Sequence, residues 1–194
     1  VRRRGEAMQA ACDAKPSTMA TVLGLDLDKL RAAVAEAKPK GVIVVANILG
    51  PGQAAISGEV AAVEAAGEAA KKLGAKRVIP LKVAGAFHSP LMASAVEALK
   101  AALAKTEIRP PRIPVVSNVT AAAVTDPAQI RELLGRQVGE SVLWEDSLRR
   151  MGAGGVKRFV EVGPGKVLTG LARKIVEGSE TINVENWAGV EAWK

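Results

Sequence analysis

The hydrophobic positions change period several times along the chain, and the changes divide it into elements. Met19 to Leu23 is a short apolar run. Asp26 then caps a helix carrying Leu27, Leu30, Val34 and Ala37 on one face, which stops at Lys38-Pro39-Lys40-Gly41. Val42 to Ala46 reads as a strand, Gly50-Pro51-Gly52 as a turn, and Gln53 to Ser57 as a second strand, antiparallel to the first. A helix from Glu59 to Leu73 ends at Gly74, and Arg77 to Val83 forms another strand. The order strand-helix-strand-strand-helix-strand is the split βαβ, ferredoxin-like pattern.

After this block the pattern becomes that of an α/β layer. Pro90 to Lys105 predicts a helix with two adjacent apolar faces, Leu91, Ala95, Ala98 and Ala102 on one and Met92, Val96, Leu99 and Leu103 on the next, hence deep burial. Val115-Val116 is a strand, Asp126-Pro127 opens a helix through Leu134 and Val138, and Trp144, Leu148 and Met151 mark a further helix face. Phe159 to Val162 predicts a buried strand, Pro164 starts a helix running to Lys174, and Thr181 to Val184 is a final strand. With the basic helix before Cys12, these scattered strands are too few to close a sheet of their own, so a segment ahead of Val1 is expected to complete it.

The 194 residues suit one domain, or one domain with a small insertion, and 48% hydrophobic residues suffice for a core. Aromatics make up 3% and tyrosine is missing, so stacking surfaces for nucleic acid are scarce. The formal charge of +7 then favours an anionic small molecule or an acidic protein partner over nucleic acid. No apolar run reaches the about 18 residues of a membrane-spanning helix. Cys12 is the single cysteine, which excludes an intrachain disulfide and a Cys-rich metal site and suits a reducing, cytoplasmic setting.

The strongest candidate for chemistry is His88, the only histidine, in Gly85-Ala86-Phe87-His88-Ser89-Pro90-Leu91-Met92. The Ser-Pro pair predicts a helix start, whose partial positive charge would keep a neighbouring imidazole neutral and able to accept a proton. Other motifs read as structure. Gly163-Pro164-Gly165-Lys166 misses the first glycine of a phosphate loop and is expected to be a strand-to-helix turn allowing close backbone approach. Gly139-Glu140-Ser141 lacks the second glycine of a hydrolase elbow, leaving Ser141 as a helix cap. Cys12 reads as a small buried residue, Arg2-Arg3-Arg4 as a solvated helix end and Gln137 as a helix surface residue.

Taken in order, several segments resemble the malonyl-CoA:acyl carrier protein transacylases of type II fatty acid synthesis. They are Arg4-Gly5-Glu6-Ala7-Met8-Gln9, Met19-Ala20-Thr21-Val22-Leu23-Gly24, Pro51-Gly52-Gln53 with Ile56-Ser57-Gly58, and the His88 segment. Farther on come Arg136-Gln137, Val142-Leu143-Trp144-Glu145-Asp146-Ser147 and Glu161-Val162-Gly163-Pro164-Gly165-Lys166-Val167-Leu168. The resemblance implies an α/β fold: a partial α/β hydrolase-like acyltransferase core over residues 1–15 and 86–194, with an inserted ferredoxin-like α+β subdomain over 16–85. The family's G-H-S-x-G nucleophile motif has no counterpart here, so the chain resembles the C-terminal portion, and the N-terminal segment of the same enzyme becomes an expected partner. Alone, the chain is then expected to expose sheet edge and apolar surface and to aggregate or bind that segment.

The implied reaction moves a malonyl group from malonyl-CoA to the pantetheine thiol of acyl carrier protein through a seryl ester, without cofactor or metal. The resemblance makes His88 the general base and acid and the backbone carbonyl of Gln137 its orienting partner. Arg4 matches the arginine that binds the malonyl carboxylate, and Phe87 matches the malonyl rather than the methylmalonyl pattern. Asn47 stays a candidate for substrate binding although Ile48-Leu49-Gly50 replaces the family's Phe-Asn-Ser. Membrane and nucleic acid are not expected partners. The alternatives are a non-catalytic carrier-protein-binding module and a transacylase for another acyl group.

Overall fold

The computed structural model describes residues 1–191; the last three residues of the core range expected to end at 194 lie outside it. The first half of the chain runs α1 (Arg2–Ala14), β1 (Ser17–Leu23), α2 (Leu27–Ala37), β2 (Ile43–Gly50), β3 (Gln53–Glu59), α3 (Val60–Lys72) and β4 (Arg77–Pro80). β1 pairs antiparallel with both β3 and β4, and β2 pairs antiparallel with β3. The alternation of β1 and β3 sends Ala20, Val22, Ala54 and Ile56 to one face, where they meet Leu30, Ala33 and Val34 of α2 and Ala62, Ala66 and Ala70 of α3. Asp26 caps α2 by accepting from the amide of Asp28 at 2.9 Å. Gly58 lets β2 and β3 close: a Cβ there would fall 2.1 Å from the Val42 carbonyl oxygen.

The opposite face of this sheet carries Met19, Ala46 and Ala55, which pack against Phe87. That contact seats the histidine segment on the sheet. The segment continues as a short 3₁₀ turn, Pro90–Met92, and α4 (Ala93–Ala104). Then follow β5 (Val115–Val116), β6 (Ala123–Val124), α5 (Pro127–Arg136), β7 (Val142–Leu143), α6 (Trp144–Ala153), β8 (Arg158–Val162), α7 (Val167–Ile175), β9 (Glu180–Val184) and α8 (Trp187–Glu191). β5 and β6 form an antiparallel pair, β8 and β9 a parallel pair, and β7 joins the first sheet, giving the order β4-β1-β3-β2-β7.

Several elements depart from the sequence pattern. β2 runs on to Gly50 instead of stopping at Ala46, because β3 stays paired with it as far as Gly50 opposite Gln53, and β7 adds a parallel pairing at Asn47 and Ile48. β4 ends at Pro80, not Val83: Leu81 still donates to Met19 O at 2.9 Å, but Val83 N–H turns back to Leu81 O. The deep burial expected for both faces of α4 is not found; Ala95 and Leu99 are buried while Ala98 is exposed. Alanine favours a helix whichever way it points, so an alanine row fixes helicity better than it fixes the core. β8 is not a buried strand either. Val162 is 77% exposed, since among the described residues β9 is the one strand beside it.

The segment after β8 is likewise rebuilt. Pro164 does not start α7; the helix begins at Val167, with Glu161 accepting from the Leu168 amide at 3.2 Å and the Thr169 amide at 2.7 Å. Gly163 and Gly165 have φ of 132° and 92° with nothing within 4 Å of a Cβ, so they supply left-handed backbone, not the expected close approach.

Candidate active site

His88 stands between the sheet and α4 with its backbone in the left-handed region, φ 58°. A non-glycine residue holds that conformation only when its surroundings over-determine it, and here they do. Ser89, fully buried, donates its hydroxyl to Ala86 O at 2.6 Å and accepts from the Leu91 amide at 3.2 Å, starting the 3₁₀ turn. The Ala86 amide donates to Ser17 Oγ at 3.0 Å, and the His88 amide donates to Val138 O at 3.1 Å. Gly85 is required by contact: a Cβ would stand 2.6 Å from Cys12 Sγ.

The imidazole meets two backbone carbonyls. Its Nδ1 lies 2.9 Å from Gln137 O and 3.2 Å from Glu140 O. Carbonyls only accept, so Nδ1 carries the proton and Nε2 keeps a lone pair. Burial pushes the histidine pKa below its ordinary 6.5; Arg4 pushes the same way, and the two carbonyl contacts oppose it. The neutral form is therefore the resting form at pH 7. Desolvation is the largest of these causes. An open cleft of about 290 Å³ adjoins the ring, lined by Val44, His88, Val119, Glu140, Ser141 and Leu143 among others.

Gln137 caps the C-terminus of α5, where its amide donates to Leu133 O at 3.0 Å. It is half-buried and serves two partners, not a plain helix surface residue: its carbonyl faces His88 and its side-chain Oε1 accepts from Arg4 Nη2 at 2.8 Å. Arg2 and Arg3 are solvated and pair with Glu6, but Arg4 turns inward, so the basic cluster is a solvated helix end only in part. The loop carrying Glu140 is tied from both sides, by Arg136 Nε to Glu140 Oε1 at 2.7 Å and by Ser141 Oγ donating to Val45 O at 2.6 Å. Ser141 is thus a strut between loop and β2 and not a helix cap; α6 begins at Trp144.

Phe87 is half-buried and packs against two apolar clusters, Met19, Ala46 and Ala55 on the sheet and Met92, Leu99 and Val138 on the other side. Asn47 is half-buried in β2, opposite Ala55 and Val142, and does not line the cleft beside His88. Cys12 is buried as expected, and burial followed by the Asp13 charge pushes its thiol pKa up, away from a reactive thiolate. Sequence reasoning missed the Glu140 carbonyl, the Val138 carbonyl and Ser57, whose hydroxyl donates to Phe87 O at 2.6 Å. Carbonyls carry no residue-type signal; Ser57 at least lay in the Ile56-Ser57-Gly58 segment.

Residues 1–191 match the acyl transferase domain. The chain belongs to that family. This acyl transferase domain is 43% identical over 192 residues to the malonyl CoA-acyl carrier protein transacylase of Bacillus subtilis, covering 98% of this chain and 61% of the relative. It is 42% identical over 177 residues to that of Escherichia coli K12, covering 91% of this chain and 57% of the relative. The chain thus spans about 60% of the length of these curated relatives. An acyl carrier protein S-malonyltransferase from Vibrio cholerae superposes with TM-score 0.95 at 40% identity, over 100% of this chain and 63% of the other. A malonyl-transacylase solved with its type II PKS acyl-carrier protein superposes with TM-score 0.93 at 35% identity, over 97% of this chain and 61% of the other. Among the described residues no helix is long and apolar enough to cross a membrane.

Proposed function

We propose that this acyl transferase domain supplies the acid-base half of a transacylase that moves malonyl from coenzyme A to the pantetheine thiol of acyl carrier protein. The observation that carries the reading is the pair of carbonyls, Gln137 O and Glu140 O, at His88 Nδ1, which call for a proton there and leave Nε2 as the basic nitrogen. Among the described residues no hydroxyl or thiol is hydrogen-bonded to His88. The attacking serine comes, in this proposal, from the N-terminal segment of the same enzyme.

As the serine hydroxyl attacks the thioester carbonyl, its proton passes to His88 Nε2; as the C–S bond breaks, Nε2 returns the proton to the departing coenzyme A thiolate. The second half runs in reverse order. The pantetheine thiol gives its proton to Nε2 and attacks the seryl ester, and the serine oxygen leaves with that proton. The imidazolium formed between the two transfers is stabilised by the same two carbonyls. Arg4 grips the malonyl carboxylate in this proposal, a role supported by its inward guanidinium, which donates to Gln137 Oε1. Phe87 is proposed to favour malonyl; Asn47, which stands away from the cleft, keeps family resemblance as the sole support for a substrate-binding role.

The finer architecture belongs to the same proposal. Residues 16–85 form a ferredoxin-like subdomain, a reading supported by the order β4-β1-β3-β2, set into a hydrolase-like core of 1–15 and 86–194. The setting is cytoplasmic. The net charge of +7 suits an anionic thioester and an acidic carrier.

The test is transfer of malonyl from malonyl-CoA to holo carrier protein, read by carrier mass, with the N-terminal segment present in the same chain. Substitution His88→Ala is expected to lower the transfer rate about 100- to 10,000-fold. A rate unchanged by His88→Ala, or carrier binding with no transfer by the intact protein, would leave the chain as a carrier-binding module. Preference for another acyl-CoA in direct competition would replace malonyl as the acyl group.

A further inference from the structure

We propose that Ser57 is a positioning residue for His88, acting through the peptide that joins Phe87 to His88. The inference rests on the reading of His88 as the base. It assigns a task to a side chain on β3, within the five-stranded sheet, and not in the loops that carry the imidazole and its acceptors.

The geometry is specific to one peptide plane. Its oxygen, Phe87 O, accepts the Ser57 hydroxyl at 2.6 Å, and its nitrogen, His88 N, donates to Val138 O at 3.1 Å. Rotation of this plane is what sets φ of His88, and that φ is 58°, where a non-glycine residue does not rest unaided. Two hydrogen bonds, one at each end, therefore hold the histidine in a conformation its own backbone disfavours. In that conformation Nδ1 reaches Gln137 O and Glu140 O together.

Ser57 is well chosen for the task. It is fully buried, opposite Met19 of β1 and Val44 of β2, so its hydroxyl has little solvent to exchange with. It projects to the same sheet face as Ala55, on which the Phe87 ring packs, so side chain and carbonyl of Phe87 are fixed by one strand. A matching strut, Ser141 Oγ to Val45 O at 2.6 Å, ties the neighbouring loop, whose Glu140 carbonyl faces Nδ1, to β2. Donor and acceptors of the imidazole are thus both referred to one sheet.

The test reads His88, the only histidine of these 194 residues, in the intact protein, its imidazole signals assigned by their loss in His88→Asn. Imidazole ¹⁵N NMR of the purified protein at pH 7.5 is expected to show the pure Nδ1–H tautomer in the wild type. In Ser57→Ala the pattern is expected to shift to mixed tautomers, with intermediate purity in Ser57→Cys, which keeps a weak donor. In the transfer assay, Ser57→Ala is expected to lower kcat about tenfold, the scale of one lost buried hydrogen bond, while KM for malonyl-CoA stays within about twofold. A wild-type tautomer pattern in Ser57→Ala overturns the proposal, and if that variant does not fold, the same pattern in Ser57→Cys does. Transfer absent from the intact wild-type enzyme would defeat the functional reading instead, while the NMR arm still decides the role of Ser57.

Discussion

His88 couples the chemistry of the site to the stability of the fold through one proton. Desolvation holds its folded-state pKa below 6.5, the value of the unfolded chain. As pH falls, the unfolded chain therefore takes up the proton first. The contribution of neutral His88 to stability is complete above about pH 6.5 and is lost as pH drops through that value toward the folded-state pKa. Denaturation profiles of wild type and His88→Asn between pH 8 and 5 should converge as the pH falls, whatever the carboxylates common to both contribute. Parallel profiles would mean that His88 is not held neutral by the fold. With His88 as the proposed base, the acid limb of kcat/KM should lie below pH 6.5 for the same reason, since only the neutral imidazole accepts a proton.

Among elements, the contact of α1 with the histidine segment leaves little room. A Cβ on Gly85 would stand 2.6 Å from Cys12 Sγ and 3.1 Å from Ser17 Oγ, pressing on α1 and β1 at once. Gly85→Ala is expected to cost about 1–3 kcal/mol, with part of the loss recovered by adding Cys12→Ala, as denaturant midpoints of the single and double variants will show. Which elements were legible follows the same logic of local against distant causes. Caps at Asp26 and Asp126 and the period of α2 are local, and they stand where the pattern put them. β7 has two residues and exists only because β2 lies beside it, so no window of sequence could announce it. At the site, His88 and Gln137 were singled out, Gln137 by family resemblance alone. The carbonyls of Val138 and Glu140 were invisible because every residue owns one.

At the scale of the whole molecule, apolar surface is left uncovered away from the cleft. Ile113 is 76% exposed, Val162 77% and Val167 66%, the last two flanking the turn between β8 and α7. The 194-residue chain by itself is expected to self-associate with rising concentration in sedimentation velocity, and the pair Val162→Lys and Val167→Lys to reduce that association. A monomer at every concentration would show that this surface is tolerated in water. The five-stranded sheet has a different consequence. Its fifth strand, β7, comes from residue 142 onward, whereas the other four lie within the first eighty residues. Exchanging residues 16–85 for those of a relative is therefore not a matter of rejoining two linkers. A chimaera must bring a β2 edge whose register accepts Val142 and Leu143, or carry β7 along with the graft.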